Sequence, residues 1–369
     1  MRAANEIDFW RGFALVTIFI NHIPGGFFER FTFKNLAISD SAELFVFLAG
    51  WALRKVVEGP IGDLATPWLT LRLAARALQV YFAQLVITEL AIALLAGAAL
   101  LLDAPFFLDW HNASAVFEDP VRAQLGLALL SHQLGYFNIL PLYVVLTSFA
   151  VAMALLDRHA RPLLPLVSLT VYLYALATGA NFRTWPIEGT WFFNPLSWQL
   201  IYVLGFLLAG TDGLGGLTRR WRRSLRWAAV PIVAAGAVSA WWGFSPDPVS
   251  VPAPKLAFVF DKTYLSPARL THSLALVALI GGAYPAISHR LPRTGAFLSS
   301  LGRNSLNVFC VGSLLSLLAQ IFRFVYGGQI VTDAIIVVLS VLAMRGVAWV
   351  SEWREHARAR ASLEQRSPS

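Results

Sequence analysis

Apolar residues along this chain of 369 residues fall into ten long blocks separated by charged or Pro/Gly-rich breaks: 9–27, 40–58, 74–102, 136–156, 163–180, 196–212, 227–243, 268–287, 304–324 and 329–349. A helix needs about 20 apolar residues to cross the hydrocarbon core of a bilayer. The pattern therefore predicts an all-α polytopic membrane protein with about ten transmembrane helices. Arg11 and His22 interrupt the first block and no small-residue cleavage site follows it, so it reads as a retained span rather than a signal peptide. Residues 1–350 read as one transmembrane domain and residues 351–369 as a charged tail, a helix end that frays into disorder.

Charge gives this pattern a direction. An even number of spans puts both termini on one side, and the loops on that side collect 21 of the 29 Lys and Arg residues, including Arg2, Arg54, Lys55, Arg72, Arg76, the run from Arg219 to Arg226, Arg303 and Arg366. Short loops rich in Lys and Arg stay in the cytoplasm, so both termini are expected there. The three longest outer segments, 103–135, 180–195 and 243–269, carry Trp, Asp, Asn and His instead.

Composition narrows the chemistry. With 57% hydrophobic and 14% charged residues, little chain remains for a separate soluble domain. The net charge of +8 comes from arginines between apolar runs, not from a basic helix interleaved with aromatic residues, so no nucleic-acid partner is expected. The single cysteine, Cys310, precludes an internal disulfide or a multi-thiolate metal site. No Walker loop, dinucleotide fingerprint or convincing metal-ligand spacing occurs, and neither a metal nor a permanently bound cofactor is expected.

Candidate chemistry begins in the first block. Arg11 and His22 are eleven residues apart, about 16 Å along a helix, so the arginine would mark the inner interface and the histidine would lie deep. An ionisable residue at such depth is a functional-site hypothesis, since neutral imidazole can take a proton from a hydroxyl. A packing hydrogen bond is the competing reading for His22, and a snorkelling anchor the one for Arg11. Asn21 stands beside the histidine and Asp8 three residues before the arginine. The second block opens with Ser39-Asp40-Ser41-Ala42-Glu43, an N-cap followed by an acidic first turn. Glu43 could orient the imidazole of His22 or simply interact with the helix dipole. Arg269 and His272 are three residues apart and share a helix face shortly after Asp261-Lys262-Thr263. Asp109-Trp110-His111-Asn112, Trp185, Trp191 and Asp261-Lys262 in the outer segments suit a sugar surface, aromatic faces for rings and polar groups for hydroxyls, with an interfacial aromatic belt as the alternative for each Trp, and Asp40, Arg269 and His272 join them as candidate substrate-binding residues. On the inner side Arg54, Lys55, Arg72, Arg76, the run from Arg219 to Arg226 and Arg303 make a cationic surface that could bind a phosphorylated donor, although topology alone also calls for such cations.

The order of these motifs resembles the OpgC family of the transmembrane acyltransferase-3 superfamily over nearly the whole chain. The carriers are 8–12, Asn21-His22-Ile23-Pro24, 39–47, Ile139-Leu140-Pro141-Leu142-Tyr143, 191–200, Asp261-Lys262-Thr263 and Gly302-Arg303-Asn304-Ser305-Leu306. Asn138 stands where the family leads one to expect an acidic residue, and Ala49 where the superfamily often has serine. The resemblance implies a ten-helix enzyme that takes an acyl group from cytoplasmic acyl-CoA, with succinyl-CoA as co-substrate, and places it on a periplasmic glucan. His22 would then be the catalytic base and Arg11 part of the donor path. The alternative from another class is a transporter or flippase for a polar or glycan substrate, because ionisable residues within spans also mark translocation paths. Paired broken helices in inverted repeats would favour it, and no repeat is evident in the sequence.

Overall fold

The computed structural model describes residues 4–364, with side chains described as far as residue 358. The predicted charges of Arg2 and Arg366, and the end of the tail at 365–369, lie outside the described residues. The long helices are α1 (Glu6–Asn21), α2 (Ser41–Val57), α3 (Thr66–Leu101), α4 (Ile139–His159), α5 (Leu163–Thr178), α6 (Pro195–Ala209), α7 (Arg222–Trp241), α8 (Pro267–Ile280), α9 (Pro292–Arg303), α10 (Ser305–Tyr326) and α11 (Ile330–Glu364). The chain forms two compact units, one made of Met1–Thr32 with Ile280–Ser369 and the other of Phe33–Leu279.

Each of the ten apolar blocks falls on a helix, and the protein is an all-α, multi-pass membrane protein. By length and composition five helices can cross a bilayer alone: α3, α4 with the turn before it, α7, α10 and the 330–358 part of α11. Two further helix pairs divided by short breaks raise the number to seven, one of them α6 with Gly213–Arg220, bent by 70°. The other three blocks lie on α1, α2 and α5, of 16, 17 and 16 residues, shorter than a full crossing. Local chemistry explains the shortness. Pro24 and a left-handed Gly25 follow α1, charged residues occupy both ends of α2, and Gly179 closes α5 in the left-handed region.

In the first unit, α1 starts at Asn5, whose side chain accepts from the Asp8 backbone N–H, and Glu6 and Asp8 favour the positive end of the helix. It lies directly against α9. A Cβ at Gly12 would strike the Leu298 carbonyl oxygen, and one at Gly302 the Asp8 carbonyl oxygen. Small residues at such crossings let backbones approach, which is how helices gain packing energy where lipid is as apolar as the side chains. α11 presents Ile335, Val338, Leu339 and Leu342 outward, as a lipid-facing helix does.

In the second unit, α2 and α6 meet in the same way. A Cβ at Gly50 would strike the Tyr202 carbonyl oxygen, and one at Gly205 the Phe47 carbonyl oxygen. Polar side chains inside the bundle satisfy one another. Ser168 Oγ donates to Gln199 Oε1 at 2.7 Å while Gln199 Nε2 returns a bond to the Ser168 carbonyl at 2.8 Å, and Tyr143 donates to the Phe45 carbonyl at 2.8 Å. Segment 103–135 folds into a 3-10 turn at Pro105–Asn112 and short helices at Ser114–Glu118 and Pro120–Ala128. Segment 180–195 holds a small antiparallel hairpin, β1 (Arg183–Thr184) with β2 (Gly189–Thr190), the one departure from helix among the regular elements described.

Candidate functional site

His22 is the C-cap of α1, half-buried at the helix end, whereas the apolar pattern predicted a helix running on to residue 27. The helix stops because Pro24 disfavours helical backbone at the residue before it and Gly25 turns the chain at φ +72°. The imidazole lines a narrow pocket walled by α1, α10 and α11, through Leu15, Ile18, Phe19, Gly312, Ser316 and Met344. The cavity is water-sized and lies on the helix that also carries Arg11. Arg11 is half-buried, and its Nε has no hydrogen-bond partner among the described residues. Thr32 donates to Asn21 Oδ1, which leaves the amide nitrogen of Asn21 as the donor it can offer.

The second unit gathers five of the residues singled out from sequence around the start of α2. Asp40 caps the helix, accepting from the Ala42 N–H at 2.8 Å, and Glu43 Oε2 accepts from the Asp40 N–H at 3.0 Å, a complete capping box. Arg269 then reaches Glu43 Oε1 through Nε at 2.9 Å and Nη2 at 2.5 Å, and stands 3.6 Å from Asp40 Oδ2. Lys262 Nζ donates to that Asp40 oxygen at 2.5 Å and lies over the Phe192 and Phe193 rings at 5.8 and 5.6 Å. His272, one turn beyond Arg269, pairs through Nδ1 with Ser39 Oγ at 2.7 Å. Two acids and two bases balance in charge here, which is how buried ions avoid the cost of desolvation. Glu43 is fully buried, and within its unit its oxygens are engaged by Arg269 and the Asp40 amide rather than by an imidazole. The expected partnership of Glu43 with His22 gains no support from these bonds.

The remaining predicted residues separate. Asp261 stabilises its own loop, accepting from the Tyr264 N–H at 2.7 Å. That loop is locked to the bundle through the Lys262 carbonyl, which accepts from Trp198 Nε1 at 3.0 Å, and the Leu265 carbonyl, which accepts from Tyr172 at 2.8 Å. Trp185 is exposed in the hairpin turn. Trp191 is buried and packs edge-on against Phe182 at 5.3 Å, so its ring is not a platform for a sugar.

Among the proposed donor-binding arginines, Arg54 is buried, paired with Glu58 at 2.8 Å and Asp157 at 2.6 Å, and sits over the Phe206 ring. Arg303 forks onto Glu352 Oε1 at 3.1 and 2.8 Å, and Arg76 is exposed with Nη1 on Gln79 at 2.6 Å. Arg54 and Arg303 are thus already neutralised by carboxylates. Among the described residues no group of three or more His, Cys, Asp or Glu is placed to hold a metal ion.

Sequence reasoning did not single out Ser39, Gln320, Arg323 or Asp333. A polar residue in an apolar helix, as Gln320 is in α10, is the signal that marks such positions.

A multi-pass helical membrane protein, with a histidine pocket in one unit and a buried charge network in the other, is the class these observations define. The family described as OpgC protein matches residues 3–356, and the chain belongs to that family. No curated protein and no solved structure matches it.

Proposed function

We propose that this protein is an O-acyltransferase of the bacterial inner membrane, of the acyltransferase-3 superfamily, that moves succinyl from cytoplasmic succinyl-CoA to hydroxyls of a periplasmic glucan. Ten crossings with both termini in the cytoplasm accompany this reading, supported by the ten helix-matched blocks and the asymmetry of Lys and Arg. The observation that carries it is the shared helix of Arg11 and His22, with His22 lining a small cavity between α1, α10 and α11. Family membership supports the activity.

The chemistry is direct transfer. His22 takes the proton of the sugar hydroxyl as its oxygen attacks the thioester carbonyl, and the Asn21 amide donates to the oxyanion that develops. The carbon–sulfur bond breaks, the electron pair leaves with CoA sulfur, and the imidazolium returns the proton to that thiolate. One ester forms and one thioester is lost. Arg11 binds donor phosphate at the inner end of α1. Acceptor hydroxyls are recognised by the Asp40, Lys262 and Arg269 group, held by Glu43, with Asp261 and His272 supporting it and Trp185 offering its ring. Arg76 adds positive charge to the donor side, while Arg54 and Arg303, each paired with carboxylates, would act there only by exchanging those partners for phosphate.

Purified protein incubated with succinyl-CoA and glucan tests this. The expected result is CoA release with a succinyl mass gain on the glucan. Unmodified glucan crossing the membrane of protein-loaded vesicles, with no CoA released, would replace the enzyme by a transporter.

A further inference from the structure

The end of α1 is held by a ladder of side chains from α10. Ser316, Gln320 and Arg323 stand at i, i+4 and i+7, one face of that helix. Ser316 Oγ donates to the Phe19 carbonyl at 3.0 Å, Gln320 Nε2 to the His22 carbonyl at 2.6 Å, and Arg323 Nη2 to the Gly25 carbonyl at 2.8 Å. The last carbonyls of a helix lack the regular donor four residues on; that of Phe19 receives only a long backbone bond, from the His22 N–H at 3.3 Å, and little water reaches such groups in a membrane bundle. α10 therefore supplies the donors, in register with α1, before, at and after His22.

A second tie comes from α11. Asp333 is buried, pairs with Arg323, and accepts the Phe27 N–H at 2.9 Å. On the other side of the turn, Glu29 Oε2 accepts the Gly25 N–H at 3.0 Å. The turn after His22 contains Pro24, Gly25 and Gly26 and is closed by one backbone bond, Gly26 N–H to the Ile23 carbonyl at 3.0 Å, which leaves the His22 carbonyl itself to the side-chain ties. Without these ties the carbonyl of His22 could rotate, and the direction of its side chain would rotate with it.

We propose that Gln320, backed by the Arg323–Asp333 pair, is the positioning residue that aims His22 into its pocket for proton transfer. This rests on the reading of His22 as the base. Gln320 touches neither donor nor acceptor in this account, so its effect is confined to turnover.

Gln320→Met keeps length and volume and removes the donor. In full-length protein in detergent, kcat should fall by up to about 10²-fold, the scale of a small misplacement of a reacting group, with KM for succinyl-CoA unchanged. In the His22→Gln background, whose residual turnover is already low, the same change should cause no further loss. Asp333→Asn retains an acceptor for Phe27 while weakening the tie to Arg323, and should show the same split to a smaller degree if Gln320→Met does not fold. Wild-type kcat in a folded Gln320→Met protein, or equal losses in both backgrounds, would overturn the positioning role. Wild-type turnover in His22→Gln alone would instead overturn the base assignment beneath it.

Discussion

Arg269 grips a single oxygen of Glu43 with two nitrogens, at 2.9 and 2.5 Å, and Glu43 has no exposed surface at all. Both residues were legible as charged positions at the starts of apolar runs, but their pairing requires the fold, since they are 226 residues apart. Removing one member of a buried ion pair strands the other, at a cost of about 3–5 kcal/mol. Glu43→Gln should therefore lower the thermal midpoint in detergent substantially. The double variant Glu43→Gln with Arg269→Met should recover part of the loss. A double variant no more stable than Glu43→Gln would show that the stranded arginine is not the source of the damage.

Helix crossings give a second expectation, with an internal control. A Cβ at Gly50 or Gly205 would collide with the backbone of the opposite helix, while nothing lies within 4 Å of one at Gly97. Gly97→Ala should be neutral in yield and thermal midpoint, and Gly50→Ala and Gly205→Ala should each lose folded protein. Equal yields from all three would mean that α2 and α6 do not meet through these glycines.

Topology can be read by labelling. With Cys310 replaced by Ala, cysteines at Ser114 and Ser224 should react with an impermeant reagent from opposite faces, Ser114 from the periplasm. Labelling from the same face would refute the ten-span arrangement.

The arginines separate by their partners. Arg11→Lys keeps the charge but loses the guanidinium fork, so KM for the CoA thioester should rise with acceptor binding spared. Arg54→Ala and Arg303→Ala should chiefly lower stability, because they leave Asp157 with Glu58, and Glu352, short of their buried partners. CoA binding measured in detergent alongside thermal melting separates the two classes. Wild-type CoA affinity in both Arg11→Lys and Arg11→Ala would make Arg11 an interfacial anchor.

Much of the architecture could be read from the chain because lipid demands long apolar runs, and each of the ten runs is helical. The ends were harder. The first run was expected to continue to residue 27, yet Pro24 and Gly25 outweigh the apolar Ile23 and Phe27 beside them, and His22 becomes a cap. Aromatic composition also misled for Trp191, because sequence cannot distinguish a ring presented outward from one buried against Phe182. Asp40 and Glu43 were recognised as an N-cap with an acidic turn, and their capping box is present. Lys262, Arg269 and His272 converge on that same helix start only through the packing of α8 and the loop before it, which no local pattern encodes.

His22→Gln removes the proposed base of acyl transfer, because glutamine keeps a hydrogen-bonding side chain without comparable basicity. Steady-state release of CoA from succinyl-CoA in the presence of glucan should fall by about 10²–10⁴-fold, with the protein still folded and still binding CoA. Wild-type turnover in that variant would contradict the account.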